Sequence, residues 1–347
     1  MKKLEAMKAV YCYFFPEVRQ IVHDTESGID NTIFNVTTPA SNVSRNLESI
    51  LKKSLDVPST PEGYVNVDAI HIPIIRRLVE AYSPVVHGLK EFKHSYPTSG
   101  SSEGLFHLLA KLKADGVKAI NVLNGEYEGY GIQAENLGMK VNVIDPETES
   151  IDNLVPGYWF VSNPSARDGN VLPNDFISHL CDLGNKVIVD LAYVGSTSQR
   201  KFDISNKNIP AVVLSLSKPF GLFRYRIGFT FSREEVPSLI GNKWFKDTIR
   251  LLQGLKVVEE FGMAGLYNRY RQTQESIVAG INKEFGIGMR TSDVLLLGHL
   301  EKDDAAKLSQ EQLSIITDFK RGDGYRFCLT PYFEKLEGGT LKWQPLL

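Results

Sequence analysis

Ser215-Leu216-Ser217-Lys218-Pro219-Phe220-Gly221-Leu222-Phe223-Arg224-Tyr225-Arg226-Ile227-Gly228 is the stretch on which the reading of this chain turns. One apolar run, Ala211 to Leu214, leads into it, and a second, Ile227 to Phe231, leaves it. Both flanks read as buried strands. Proline directly after Lys218 and glycine at 221 place the lysine in a turn, not in a helix interior. A lysine just past a strand end points into the crevice where α/β sheets bind ligands. Taken alone, such a lysine is more often a solvated loop residue.

Outward from this stretch the pattern repeats. Ala119 to Leu123, Lys140 to Ile144, Tyr158 to Ser162 and Lys186 to Val189 are short and apolar, with helical segments such as Asn174 to Leu183 between some of them. That rhythm predicts a mostly parallel sheet covered by helices on both faces, with the chemistry on loops at the strands' carboxyl ends. Further upstream, Tyr96-Pro97-Thr98-Ser99-Gly100-Ser101-Ser102-Glu103-Gly104 precedes a helix-like Leu105 to Leu112. Small residues and hydroxyls at a helix start free backbone N–H groups for an anion, and the helix dipole adds positive potential. A plain N-cap has the same appearance.

Ser215-Leu216-Ser217-Lys218, then Phe220-Gly221-Leu222, then Arg226-Ile227-Gly228 resembles the cofactor-lysine segment of the class I/II aminotransferases, the pyridoxal-phosphate (PLP) enzymes related to aspartate aminotransferase. The resemblance covers roughly residues 60 to 335. It implies an α/β fold with a large domain, its mostly parallel sheet lying between helices, plus a small α/β domain built from both chain ends. The expected division is residues 1–50 as an N-terminal segment of the small domain, 51–245 as the PLP-binding domain, and 246–347 as an interdomain helix and C-terminal small domain.

The same resemblance assigns roles. Lys218 would hold PLP as a Schiff base, while Ser215 and Arg226, with Ser217 beside them, would bind its phosphate. Gly100, Ser101 and Ser102 would cradle that phosphate from the helix start. Tyr64 would reach the phosphate of a neighbouring subunit, which implies a homodimer; otherwise it packs in a turn. Tyr127, in Asn124-Gly125-Glu126-Tyr127-Glu128-Gly129-Tyr130, takes the place of an aromatic stacked on the pyridine ring, and Tyr130 reads as packing. Asp190-Leu191-Ala192-Tyr193 follows the family's Asp-x-Ala-Tyr. Asp190 would keep the pyridine nitrogen protonated, and Tyr193 would donate to the phenolic oxygen. Arg326 would take the substrate α-carboxylate with its planar fork, the alternative being an edge-strand arginine on a solvated face.

One loop departs from the family. Asn163-Pro164-Ser165-Ala166-Arg167-Asp168-Gly169 resembles Asn-Pro-x-Asn-Pro-x-Gly, but the asparagine that bonds the phenolic oxygen is Ala166 here. Asn163 matches the first asparagine of the loop, so either it is re-aimed or that bond is lost. Arg167 stands where proline is usual and either faces the substrate or lies on the surface. Downstream, Lys243 to Phe285 reads as mostly helical with a break near Gly262 and Gly265. Ser292 to Leu297 reads as a strand, Asp303 to Gln312 as a helix, and Tyr325 to Leu329 as a strand. Before residue 60 the signal is poorest. Val18 to Ile29 lacks clear periodicity, and Asn42 to Leu55 looks helical.

Composition bounds the alternatives. At 347 residues, with 42% apolar and 23% charged residues and a net charge of −2, the chain reads as an ordinary soluble protein. No Lys/Arg block suggests nucleic acid, and no apolar stretch suggests a signal peptide or membrane span. The scattered Cys12, Cys181 and Cys328 give neither a disulfide framework nor metal-ligand spacing, and fit a reducing, cytoplasmic setting. The expectation is therefore a transaminase acting on an α-amino acid and a 2-keto acid. A PLP-dependent lyase or decarboxylase is the alternative, and a non-catalytic binding protein on the same fold the more distant one.

Overall fold

The structure, a computed structural model, describes residues 3–8, 13–33, 68–173 and 175–336. Helices α1 (Pro16–Ile33) and α2 (Asp68–Tyr82) precede β1 (His94–Thr98). Then come α3 (Ser101–Ala114), β2 (Ala119–Leu123), α4 (Glu128–Asn136), β3 (Lys140–Ile144), β4 (Tyr158–Ser162), α5 (Phe176–Asp182), β5 (Lys186–Asp190), β6 (Ala211–Ser215) and β7 (Gly228–Ser232). The seven strands form one sheet in the order β1-β7-β6-β5-β4-β2-β3. Strand β7 is antiparallel to both its neighbours, and every other pairing is parallel. This is the α/β architecture that the apolar runs predict. Val187 and Val189 belong to one buried cluster and Ile188 to another, as a strand covered on both faces requires. Burying each such side chain contributes about 1.5–3 kcal/mol.

Register brings the strand ends level. Ser162 lies beside Asp190, Asp190 beside Val213, and Gly228 between Ser215 and Thr98. The loops that leave β1, β4, β5 and β6 thus emerge at one edge.

After β7 the chain forms α6 (Pro237–Asn242), α7 (Thr248–Phe261) and α8 (Gly265–Phe285). Asp247 caps α7 by accepting from the Arg250 N–H, and Gly262 ends it at φ 57, where the sequence places the break. A second sheet follows from β8 (Arg290–Thr291), β9 (Leu297–Leu300), α9 (Lys302–Ala305), α10 (Gln310–Ile316), β10 (Lys320–Arg321), β11 (Gly324–Cys328) and α11 (Thr330–Leu336). Its strands are antiparallel in the order β8-β9-β11-β10. Met7 and Cys328 exchange backbone hydrogen bonds of 3.0 and 2.9 Å, so the N-terminal segment is fastened to the end of β11.

Two expectations need correction, and one unread segment gains a structure. Ser292 to Leu296 is a buried loop, and the strand starts only at Leu297. Its backbone finds other partners: Val294 N–H bonds Gly169 O, Leu295 N–H bonds Ser196 O, and Gln274 Nε2 donates to the carbonyls of Ser292, Val294 and Leu297. An apolar run that satisfies its backbone in this way has no need of a ladder. Asp303 to Gln312 is not one helix, because Ser309 and Gln312 form a capping box that starts α10 afresh. Val18 to Ile29 is helical, within α1, where Val18 and Val22 are buried and Gln253 Nε2 donates to Val22 O. Tyr64 and the Asn42 to Leu55 segment lie outside the described residues.

Candidate active site

Lys218 occupies the turn after β6, and its Nζ lies 4.0 Å from the centre of the Tyr193 ring and 5.9 Å from that of Tyr127. Burial alone would pull its pKa down, yet Tyr193 and Asp190 hold it above the ordinary lysine value. Asp190 ends β5 and is 5% exposed. Its carboxylate accepts from Tyr130 Oη at 3.0 Å and from the Ala192 N–H at 2.9 Å. Burial raises its pKa, against the lowering influence of Lys218, Tyr130 and Ala192. Tyr193 is fully buried, and among the described residues its hydroxyl makes no well-aligned hydrogen bond, although it interacts with Lys218 closely enough to help raise the lysine's pKa. A buried hydroxyl left unpaired is costly unless something else supplies the bond.

Beside this cluster Gly100, Arg226 and several serines come together. Gly100 (φ 83) ends the turn before α3, and Arg226 (φ 52) stands opposite it. The φ of 83 favours glycine at position 100, and a Cβ there would come within 2.5 Å of Arg226 Nη2 and push the guanidinium aside. Arg226 donates to Ser99 O at 3.1 Å and reaches Ser217 Oγ at 3.5 Å, and the Ser217 N–H donates to Ser215 Oγ at 3.2 Å. Ser101 opens α3, and Ser102 Oγ sits 3.3 Å from Tyr127 Oη. Gly129 makes space for that tyrosine, since a Cβ there would lie 2.3 Å from the ring. Gly100, Ser101, Ser102, Ser215, Ser217 and Arg226 are thus brought together, with Tyr127 between them and Lys218.

The atypical loop behaves differently. Asn163 is buried, and its Oδ1 accepts from the Leu172 N–H at 3.1 Å, which ties that oxygen within its own loop. Ala166 is buried in a cluster with Tyr193. The Ala166 carbonyl accepts a hydrogen bond from Arg326 Nη1, and Lys8 O accepts from Nη2 at 3.1 Å. Arg326 is buried, on β11, with Nε unpartnered. Nε–H and one hydrogen on each Nη remain for a ligand. Arg167 is half-buried and lines a cleft of about 360 Å³ with His299, Arg321 and Tyr325.

Several participants carry no sequence signal of their own. Tyr130 reads as packing, but its hydroxyl holds Asp190; its place three residues after Tyr127, one helical turn away, is the only clue. Glu126 is buried with both oxygens on serine hydroxyls, those of Ser162 and Ser165. Lys246 Nζ bonds Ser99 Oγ at 3.1 Å and Glu103 Oε1 at 2.7 Å, while Glu103 accepts from the Ser99 N–H. Ser99 is therefore held at its nitrogen, hydroxyl and carbonyl.

Residues 96–288, more than half of the chain, match the family described as aminotransferase class I and II. The LL-diaminopimelate aminotransferase of Halothermothrix orenii is 22% identical over 264 residues, spanning 70% of this chain and 67% of that protein. The histidinol-phosphate aminotransferase of Vibrio campbellii is 25% identical over 180 residues, 48% of this chain and 51% of that one. The chain spans about half the length of the curated histidinol-phosphate aminotransferases it matches. Among solved structures, aspartate aminotransferase from Thermus thermophilus superposes with a TM-score of 0.61 at 13% identity, covering 94% of this chain and 95% of that one. L-threonine-O-3-phosphate decarboxylase from Porphyromonas gingivalis gives 0.55 at 14% identity, covering 84% and 95%. These likenesses establish the fold.

Proposed function

The chain belongs to the aminotransferase class I and II family, and on that footing we propose that it moves an amino group between an α-amino acid and a 2-keto acid. PLP, the cofactor of this family, supplies when bound an electron-poor ring that draws electrons from the bonds at a substrate's α-carbon. The observation that carries the reading is the meeting of buried Asp190 and Tyr193 with the half-buried Lys218 around one point at the sheet edge, beside Gly100 and Arg226.

The residues fit the cofactor. Gly100, Ser101, Ser102, Ser215, Ser217 and Arg226 would hold its phosphate, and Tyr127 would lie against its ring. The Tyr193 hydroxyl would find a well-aligned partner in the phenolic oxygen. Asp190 would hold a proton on the ring nitrogen, steadied by Tyr130 and the Ala192 N–H. Lys218 would bind the cofactor aldehyde and, once displaced by substrate, would move the α-carbon proton. Arg326, already oriented by two carbonyls, would present its remaining N–H groups to the substrate carboxylate. Ala166 removes one donor side chain from this set.

In this arrangement residues 51–245 carry the cofactor, while residues 1–50 and 246–347 supply the small domain; the Met7–Cys328 pairing supports that division. A homodimer is part of the proposal. Phe245 is 84% and Trp244 53% exposed next to Lys246 at the cradle, and a second copy would cover them. No helix among the described residues is long and apolar enough to cross a membrane.

The test is a screen of amino acids with keto-acid detection, followed by mixing the donor it finds with holoenzyme in the absence of an acceptor. The expected result is one keto acid per site together with loss of the cofactor's visible absorbance. Repeated turnover with that absorbance intact would favour the lyase or decarboxylase reading, which the alanine at 166 keeps in view.

A further inference from the structure

Glu126 is the buried carboxylate for which the reaction above has no use. It is 5% exposed, just past the carboxyl end of β2, and Arg167 attracts it without forming an ion pair among the described residues. A neutral side chain would fold there with less penalty, because burying an unpaired carboxylate is unfavourable. Burial pushes its carboxyl above the ordinary value, against the two serine hydroxyls that bond it.

Those bonds lead somewhere. Ser162 Oγ donates to Glu126 Oε2 and accepts from the Ala166 N–H at 2.7 Å. Ser165 Oγ donates to Glu126 Oε1 at 2.6 Å and accepts from the Arg167 N–H at 3.1 Å. On the far side of the Ala166 residue its carbonyl holds Arg326 Nη1. A continuous path thus runs from Glu126 through Ser162 and the backbone of Ala166 to the guanidinium. The loop that lacks the usual asparagine side chain uses its main chain instead.

We propose that Glu126 is a positioning residue: by gripping Ser162 and Ser165 it fixes the Asn163–Gly169 loop so that the Ala166 carbonyl aims the Arg326 fork at the substrate carboxylate. The functional half of this inference rests on the reading of Arg326 given above; the structural half does not. The Tyr127 N–H also bonds the Glu126 carboxylate, so cofactor affinity is measured beside each variant as a control.

The test uses holoenzyme. Phenylglyoxal modifies arginines, and peptide mass spectrometry reads each site. In the wild type Arg326 should react slowly, being buried and held. In Glu126→Ala and Ser162→Ala its rate should rise about tenfold or more, as expected where a buried hydrogen bond is lost. Arg233, which is likewise held by backbone carbonyls but lies at the other end of β7, serves as the internal control and should not change. Glu126→Gln, which keeps one acceptor oxygen and the same shape, should fall between wild type and alanine and guards against a variant that fails to fold. With the donor from the screen, Glu126→Ala should raise KM about tenfold and change kcat little. In an Arg326→Ala background the same substitution should add nothing. Unchanged Arg326 reactivity in a folded Glu126 variant overturns the inference, as does equal acceleration at Arg233. Altered reactivity with full additivity in the cycle would leave the positioning of Arg326 standing while removing its grip on the carboxylate.

Discussion

Replacing Tyr130 with phenylalanine isolates the support given to Asp190. The ring sits fully buried between Tyr127, edge-on at 5.3 Å, and Phe160, tilted at 5.7 Å, so phenylalanine keeps the packing. What disappears is the 3.0 Å donation to Asp190 Oδ2, which leaves the carboxylate with the Ala192 N–H. A hydrogen bond to a charged group contributes about 1.5–3 kcal/mol. If it acts fully on the step that generates negative charge at the α-carbon, the rate should fall about ten- to hundredfold. The pH dependence should move too. Burial already lifts Asp190 above the ordinary carboxylate value, and Tyr130 opposes that by favouring the charged form. Its loss raises the pKa further, so the acid limb of kcat/KM should shift to higher pH. Exchange of the α-proton into deuterated water, followed by NMR across a pH series, reads both effects, with cofactor affinity as the control. Wild-type exchange rates with an unmoved acid limb would refute the idea that Asp190 must be held ionised by its neighbours.

Other expectations follow from the same geometry. Lys218→Ala should retain cofactor but lose turnover by several orders of magnitude, measured as keto acid released; wild-type turnover would remove Lys218 from the mechanism. Gly100→Ala forces a Cβ to within 2.5 Å of Arg226 Nη2 at a φ of 83, so cofactor affinity should drop about tenfold or more while the far core holds, checked by fluorescence titration of apoenzyme. At Glu103 burial raises the pKa, but Lys246, the Ser99 N–H and Asn242 outweigh it and leave the pKa lowered. A depressed carboxylate stabilises the fold above its unfolded pKa, and that gain is lost as pH falls through the folded one. Glu103→Gln should therefore be less stable than wild type at neutral pH and approach it in acid, as read by urea unfolding at the two conditions.

The middle of the sheet was legible because its strands are short apolar runs, a pattern that survives without knowledge of partners; Ala119 to Leu123 and Tyr158 to Ser162 begin and end where the runs do, whereas the edge strand His94–Thr98 is polar and gave no such signal. The lysine turn was legible because Pro219 and Gly221 punctuate it. Less could be read where tertiary contacts replace local rules. Ser292 to Leu297 looks like a strand, yet it is a loop up to Leu296, because Gln274, distant in sequence, takes the carbonyls of Ser292, Val294 and Leu297. Arg326 is recognisable by likeness, yet nothing local to it shows that Ala166 and Lys8 hold its fork. Glu126 and Tyr130 resemble ordinary residues of a polar loop and a helix, since what matters in each is a partner 36 or more positions away.

The bond from Arg326 to the Lys8 carbonyl joins residues 318 positions apart. Synthesis at about 5–20 residues per second separates their appearance by roughly 16 to 64 seconds. Every cradle residue, from Gly100 to Arg226, is made within that interval. A chain still on the ribosome therefore acquires the residues proposed to hold the cofactor before the arginine proposed to hold the substrate, and Lys8 must wait in the nascent chain for its partner.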